Sequence, residues 1–191
     1  MAGSARYTAV LDANVLYPNL LRDLLLSLAH ADLYSAKWTV RIEDEWMAAK
    51  LRDRPDMKER IEASAATMRL AIPDCLIAGF EPLVEGLTLP DPNDRHVLAA
   101  AIVGHADAIV SANARDFPAE VLARYDVELQ SPDEFVVNQI NLQKLRALGA
   151  IKRMRDRWER PQMGPAEMID LFEKRGLALT AAHLRDAVDL I

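Results

Sequence analysis

Cysteine is almost absent from this chain, and that absence excludes a good deal. A single Cys75 rules out an intramolecular disulfide and any zinc site built on thiolates. It stands in a strand-like run, where a buried thiol is inert. Histidine is scarce and scattered: His30, His96, His105 and His183 form no H-E-x-x-H pair, which argues against a zinc hydrolase. No run of about 18 uncharged apolar residues exists, so no transmembrane helix and no membrane partner is expected. Residues 1–6 lead straight into a strand-like segment without an apolar leader, and a cytoplasmic location is expected. Internal repeats and low-complexity segments are also missing.

What is present is a globular composition. With 191 residues, 51% of them hydrophobic, the chain can hold one domain with a real core and a modest appendage. A net charge of −6 argues against a protein that clings to nucleic acid over its whole surface. The charge is unevenly spread, however. Residues 144–160 carry seven basic side chains (Lys144, Arg146, Lys152, Arg153, Arg155, Arg157 and Arg160) and two acidic ones, a local +5 that leaves −11 elsewhere. This run is equally readable as a solvated helix face or as a set of phosphate contacts.

Taken in order, the chain alternates strands and helices. Residues 7–11 (Tyr-Thr-Ala-Val-Leu) and 107–111 (Asp-Ala-Ile-Val-Ser) are apolar on both faces, the pattern of central parallel strands, with further strands expected at 75–80 and 127–129. Between them the spacing predicts helices over about 20–29, 39–52, 54–70, 93–104 and 117–123. This alternation calls for a mostly parallel sheet with helices on both faces. Beyond Asp133 only helices are expected, over 134–146, 150–158, 165–175 and 180–190, punctuated by Gly149, Pro161, Gly164-Pro165 and Gly176. The organisation expected is an α/β domain over 1–137 and a helical C-terminal extension over 138–191.

Four acids stand at special places. Asp12 follows the first strand and Asp116 closely follows the 107–111 strand, and in open α/β sheets ligands collect beyond the carboxyl ends of strands. A turn-forming Asp would also suit Asp12. A helix starting near Asn93 places Asp94, Val97, Leu98, Ala101 and Ile102 at i, i+3, i+4, i+7 and i+8, so a carboxylate heads the apolar stripe. Such a charge must be paired, hydrogen-bonded or metal-bound, because a lone buried charge costs on the order of several kcal/mol. An N-cap role for Asp91 or Asp94 is the plainer alternative. In the 39–52 helix, Ile42, Glu45, Trp46 and Ala49 share one stripe, so Glu45 is expected on it while Glu43 and Asp44 point away. An Arg partner, or a stripe that Glu45 merely borders, would explain Glu45 equally. Asp12, Asp94 and Asp116 can meet at the carboxyl edge of a parallel sheet, and Glu45 can join them if its helix crosses there. A hard divalent cation would resolve the repulsion, since Mg²⁺ or Mn²⁺ takes oxygen ligands and can activate water for phosphodiester hydrolysis.

The segments Val10-Leu11-Asp12-Ala13-Asn14-Val15-Leu16, Glu45-Trp46, Leu89-Pro90-Asp91-Pro92-Asn93-Asp94-Arg95-His96-Val97-Leu98-Ala99-Ala100-Ala101 and Ser111-Ala112-Asn113-Ala114-Arg115-Asp116-Phe117-Pro118 resemble, in order and spacing, a bacterial PIN domain. The resemblance covers roughly residues 6–137 and is nearest to the VapC-like ribonuclease toxins, in a subgroup with a helical C-terminal extension. It implies a three-layer α/β/α fold and a Mg²⁺- or Mn²⁺-dependent endoribonuclease whose acidic site is Asp12, Glu45, Asp94 and Asp116, with Asn113 beside it. Asn14 stands where the family commonly has Thr or Ser, and Asp91 is an additional acid, read as a cap or an assisting group. The resemblance further implies an RNA substrate, a homodimer and a cognate antitoxin that blocks the acidic site, often with an Arg. Lys152, Arg153, Arg155 and Arg157 are the candidate RNA-binding residues. Two other readings stand beside this one: a catalytically silent module that holds a basic peptide or RNA, and a Mg²⁺-dependent phosphatase. The phosphatase reading lacks the second acid of the D-x-D pattern, since Asp12-Ala13-Asn14 has none.

Overall fold

The computed structural model describes residues 6–159 and 161–191. The expectations placed on residues 1–5 and on Arg160 therefore lie outside the described residues.

The sheet is built on β1 (Thr8–Leu11), whose Ala9, Val10 and Leu11 are fully buried. The chain then forms α1 (Ala13–Leu16), α2 (Asn19–His30), β2 (Ser35–Lys37), α3 (Val40–Asp53), α4 (Lys58–Ala71), α5 (Glu81–Val84), α6 (Arg95–Val103), β3 (Ala108–Val110), α7 (Ala119–Leu122) and β4 (Glu128–Gln130). The helices α8 (Pro132–Leu142), α9 (Lys144–Asp156), α10 (Pro165–Lys174) and α11 (Ala178–Arg185) complete it. Strand order is β2-β1-β3-β4, and every pairing is parallel. Val10 lies opposite Lys37 on one side and Ile109 on the other. The result is a PIN-like α/β/α sandwich followed by helices. No helix among the described residues is long and apolar enough to cross a membrane.

Three local expectations are corrected. Residues 75–80 do not form a strand. They contribute one bridge, Trp38 to Leu76, flanked by Trp38 N–H donating to Cys75 O and Ile77 N–H donating to Trp38 O, both at 2.9 Å. Positive φ at Asp74 (59°) and Gly79 (77°) brackets this segment and cuts its extension short. Gly149 does not punctuate the C-terminal helices but lies inside α9; the break falls at Gln143, where ψ reaches 65°. Finally, β2 is a three-residue edge strand that the sequence reading does not include.

Helix α6 explains why the carboxyl edge is so well defined. Ala99, Ala100 and Ala101 are completely buried, and their small side chains let the helix lie close against the sheet. It ends at Gly104, where an added Cβ would come within 2.5 Å of Ile77 Cδ1.

The C-terminal helices share the core of the sheet. Ile140, Ile151 and Phe172 belong to the same hydrophobic cluster as Val10 and Leu98, and Phe135 meets Tyr34 edge to face with centroids 4.7 Å apart. Asp133 fastens α11 to α8 by accepting hydrogen bonds from Leu179 N–H (2.8 Å), Thr180 N–H (2.8 Å) and Thr180 Oγ1 (2.7 Å). Thr180 is fully buried, so Asp133→Ala strands both of its donors. That change is expected to lower the unfolding free energy by about 2 kcal/mol. The loss should be read as a lower urea midpoint with an unchanged slope.

Candidate active site at the carboxyl edge of the sheet

Asp12 continues β1 and is only 5% exposed. Its Oδ1 accepts the Ala13 N–H (2.6 Å), while Oδ2 accepts Asn14 Nδ2 (2.6 Å) and Ser111 Oγ (2.7 Å). Asn14 also donates to Ser111 Oγ (2.8 Å) and accepts Ala112 N–H through Oδ1 (3.0 Å). Ser111 Oγ in turn accepts Asn113 N–H at 3.1 Å. This web ties the loop after β1 to the loop after β3 and leaves Asp12 no freedom to rotate. Burial raises the Asp12 carboxyl above its ordinary pKa, opposed by the Ser111 and Ala13 hydrogen bonds and reinforced by the charge of Glu45.

Across the edge, the carboxylates of Asp91, Asp94 and Asp116 approach within 4.8 Å of one another. Asp91 caps the 3-10 turn Pro92–Asp94 by accepting Asn93 N–H at 2.8 Å, so it is at once a cap and a member of the cluster. Asn113 Nδ2 donates to Asp116 Oδ2. Asp94 makes no capping bond to α6. Burial first, then repulsion from Asp12, Asp116 and Asp91, pushes its carboxyl up to about 7. A carboxyl so displaced identifies a cluster that lacks positive charge.

Glu45 reaches this edge from α3. Its Oε1 lies 3.0 Å from His96 Nε2 and 3.4 Å from Arg41 Nε. Burial alone would raise Glu45, but the His96 hydrogen bond and charge, together with Arg41, outweigh it and hold the carboxyl below its usual value. Glu43 is the correction: it points inward and is 2% exposed. Arg69 of α4 grips it bidentately (Nη2–Oε1 2.6 Å, Nε–Oε2 3.1 Å), and Trp38 Nε1 donates to Oε2 at 3.0 Å. The expectation failed because α3 is packed on two flanks, against α1 and against α4, rather than on one stripe.

The structure thus draws Asp91, Asp94 and Asp116 together, sets Asp12 within electrostatic reach of Asp94, and sets Glu45 within reach of Asp12. The basic candidates lie elsewhere, on α9 and just after it. Lys152 and Arg153 are exposed. Arg155 is largely covered, donating to Ile191 O (2.7 Å) and pairing with Asp156 (2.7 Å). Arg157 pairs with Asp23 at 2.7 Å. Arg153 and Arg157 line a cavity of about 600 Å³ between α2, α4 and α9 that holds none of the five acids. This cavity therefore lies apart from the acidic edge. Sequence reasoning missed Ser111 and His96 as members of the site. The only available signals were a Ser directly after a doubly buried strand and a His one half-turn beyond Asp94.

The donor set is oxygen-only, crowded and repulsive, which fits a hard divalent cation and no thiophilic metal. A parallel α/β/α sheet with such an edge is consistent with a PIN-like fold. Residues 132–186 match the family described as VapC50 C-terminal domain. Over 77 residues the chain is 35% identical to “Putative ribonuclease VapC50” of Mycobacterium tuberculosis, an alignment covering 40% of this chain and 46% of that protein. The match thus spans a little under half the length of that curated relative. No solved structure matches. Both similarities are in line with the resemblance carried by the acidic motifs.

Proposed function

We propose that this protein is a divalent-metal-dependent endoribonuclease, the toxin of a toxin–antitoxin pair. The observation that carries the reading is the cation-poor cluster of Asp91, Asp94 and Asp116 beside buried Asp12. In this reading Asp12, Glu45, Asp94 and Asp116 hold Mg²⁺ or Mn²⁺, with Asp91 assisting. A divalent ion held there would supply an activated water and offset charge on the scissile phosphate. Asn14 and Ser111 orient Asp12 by donating to Oδ2, and Asn113 orients Asp116 by donating to its Oδ2. Asp94, whose carboxyl is raised to about 7, would be held as the carboxylate by a bound cation.

The reading extends to the whole molecule. It acts in the cytoplasm as a homodimer, and a cognate antitoxin silences it by presenting a cationic side chain to the acidic edge. Residues 1–137 form the nuclease unit and 138–191 the helical extension, from which Lys152, Arg153, Arg155 and Arg157 contribute to RNA phosphate contacts, with Arg155 and Arg157 doing so only by exchanging their present partners. The purified chain is expected to cut RNA with Mg²⁺ or Mn²⁺ and to stop on addition of EDTA. Asp12→Ala should lower the rate by at least about 100-fold, as loss of a group that stabilises the transition state does. Cleavage that persists in EDTA, or in Asp12→Ala, refutes the assignment.

A further inference from the structure

We propose that His96 is the positioning residue for Glu45, holding one carboxylate oxygen so that the other stays free to ligate. The inference deepens the reading above and rests on Glu45 being an acid of the metal site. His96 is 1% exposed and sits on α6 two residues after Asp94, whereas Glu45 belongs to α3. Their contact therefore ties together the two helices that carry acids to the edge. Both neighbours of Glu45, His96 Nε2 at 3.0 Å and Arg41 Nε at 3.4 Å, fall on the same oxygen, Oε1. Among the described residues Oε2 has no hydrogen-bond donor.

The other face of the imidazole fixes its protonation pattern. His96 Nδ1 is buried and has no hydrogen-bond partner. A proton placed there would be a stranded buried donor, while a bare lone pair is the lesser loss. When neutral, the ring therefore keeps its hydrogen on Nε2, which faces Glu45 Oε1 at 3.0 Å. A His held by burial on one side and a carboxylate on the other has one orientation available, and it passes that constraint to Glu45. Arg41 cannot substitute, because its side chain is 47% exposed and is screened by water. Groups that orient ligands in this way typically change metal affinity 10- to 100-fold when lost.

Calorimetric titration of the full chain with Mn²⁺ tests the inference without relying on turnover. His96→Leu is expected to weaken Mn²⁺ binding about 10- to 100-fold. His96→Gln, which restores an N–H donor at similar reach, should recover most of the loss. In a Glu45→Ala background, His96→Leu should add nothing further. An equal loss in both backgrounds, or no loss in the otherwise native chain, overturns the proposal. Should the native chain bind no Mn²⁺, the metal reading fails on its own, and histidine ¹⁵N NMR then decides the clamp. An Nε2-protonated His96 whose resonance moves in Glu45→Ala supports it, whereas an Nδ1-protonated or unmoved His96 overturns it.

Discussion

Replacing Asp94 with Asn is expected to stop RNA cleavage and, at the same time, to stabilise the metal-free protein above neutral pH. The two effects have one origin. In the folded, metal-free chain the Asp94 carboxyl is pushed up to about 7, by burial first and then by Asp12, Asp116 and Asp91. In the unfolded chain it returns to the ordinary 3.8. Between those values the native state binds more protons than the unfolded one, so stability falls as pH rises from about 4 to about 7. The penalty is absent below that window and complete above it. Asn cannot ionise and escapes it. Because Asp94 is only partly buried, solvent screening limits the gain to about 1 kcal/mol, a rise of roughly 2–4 °C in Tm for a chain of this size. At pH 8 in EDTA, Asp94→Asn should melt higher than the native chain, and at pH 4 the two should coincide. Saturating Mg²⁺ should close or reverse the gap at pH 8, since the ion binds only the native Asp94 chain tightly. An unchanged Tm at pH 8 would mean that the acidic edge is not repulsive, and the case for a cation would lose its physical basis.

How much of this was legible in the sequence depends on the range of the interactions involved. The strands β1 and β3 could be read because both faces are apolar, which is the mark of a central parallel strand. Asp12 and Asp94 could be read because a carboxylate ending such a strand, or heading the α6 stripe, breaks a local pattern. The edge strand β2 could not: it has three residues, two of them Ser35 and Lys37, and its single fully buried side chain is Ala36. Ser111 was equally hidden. Its hydroxyl matters only because β1 and β3 are neighbours, which brings it to Asp12 across 99 residues of sequence. The same holds for His96, whose buried ring looks like an ordinary member of the α6 core until α3 is placed beside it. Periodicity misdirected the reading at Glu43, because it supposes one buried stripe per helix. In α3 the stripe of Ile42 and Trp46 is flanked by a second partner, α4, whose Arg69 permits a carboxylate to turn inward.

That inward ion pair carries the second large expected effect: Arg69→Met should destabilise the protein by about 2–3 kcal/mol, while Glu43→Gln should cost about 1 kcal/mol and largely suppress the effect of the first change when the two are combined. Removing Arg69 leaves Glu43, 2% exposed, with Trp38 Nε1 as its remaining hydrogen-bond partner. An uncompensated buried charge costs about 3–5 kcal/mol. Here the figure is reduced because Arg69 is 45% exposed, so water can reach the vacated position. Glu43→Gln is milder, since the amide oxygen still accepts from Trp38 and the half-exposed guanidinium returns to solvent. The double variant therefore keeps an acceptor for Trp38 Nε1 and buries no charge. Urea unfolding of the four proteins measures the coupling, and Arg69→Met within about 0.5 kcal/mol of the native chain would show the pair to be dispensable. The pair also bears on the acidic edge. At 3.6 residues per turn, Glu43 and Glu45 diverge by about 200° around α3. Anchoring Glu43 to α4 on one flank sets the rotation that turns Glu45 to the other, toward His96. Loss of Arg69 should thus weaken Mn²⁺ binding by way of Glu45 even at temperatures where the variant remains folded, whereas Glu43→Gln/Arg69→Met, with its helix no longer driven to expose a charge, should bind Mn²⁺ nearly as the native chain does.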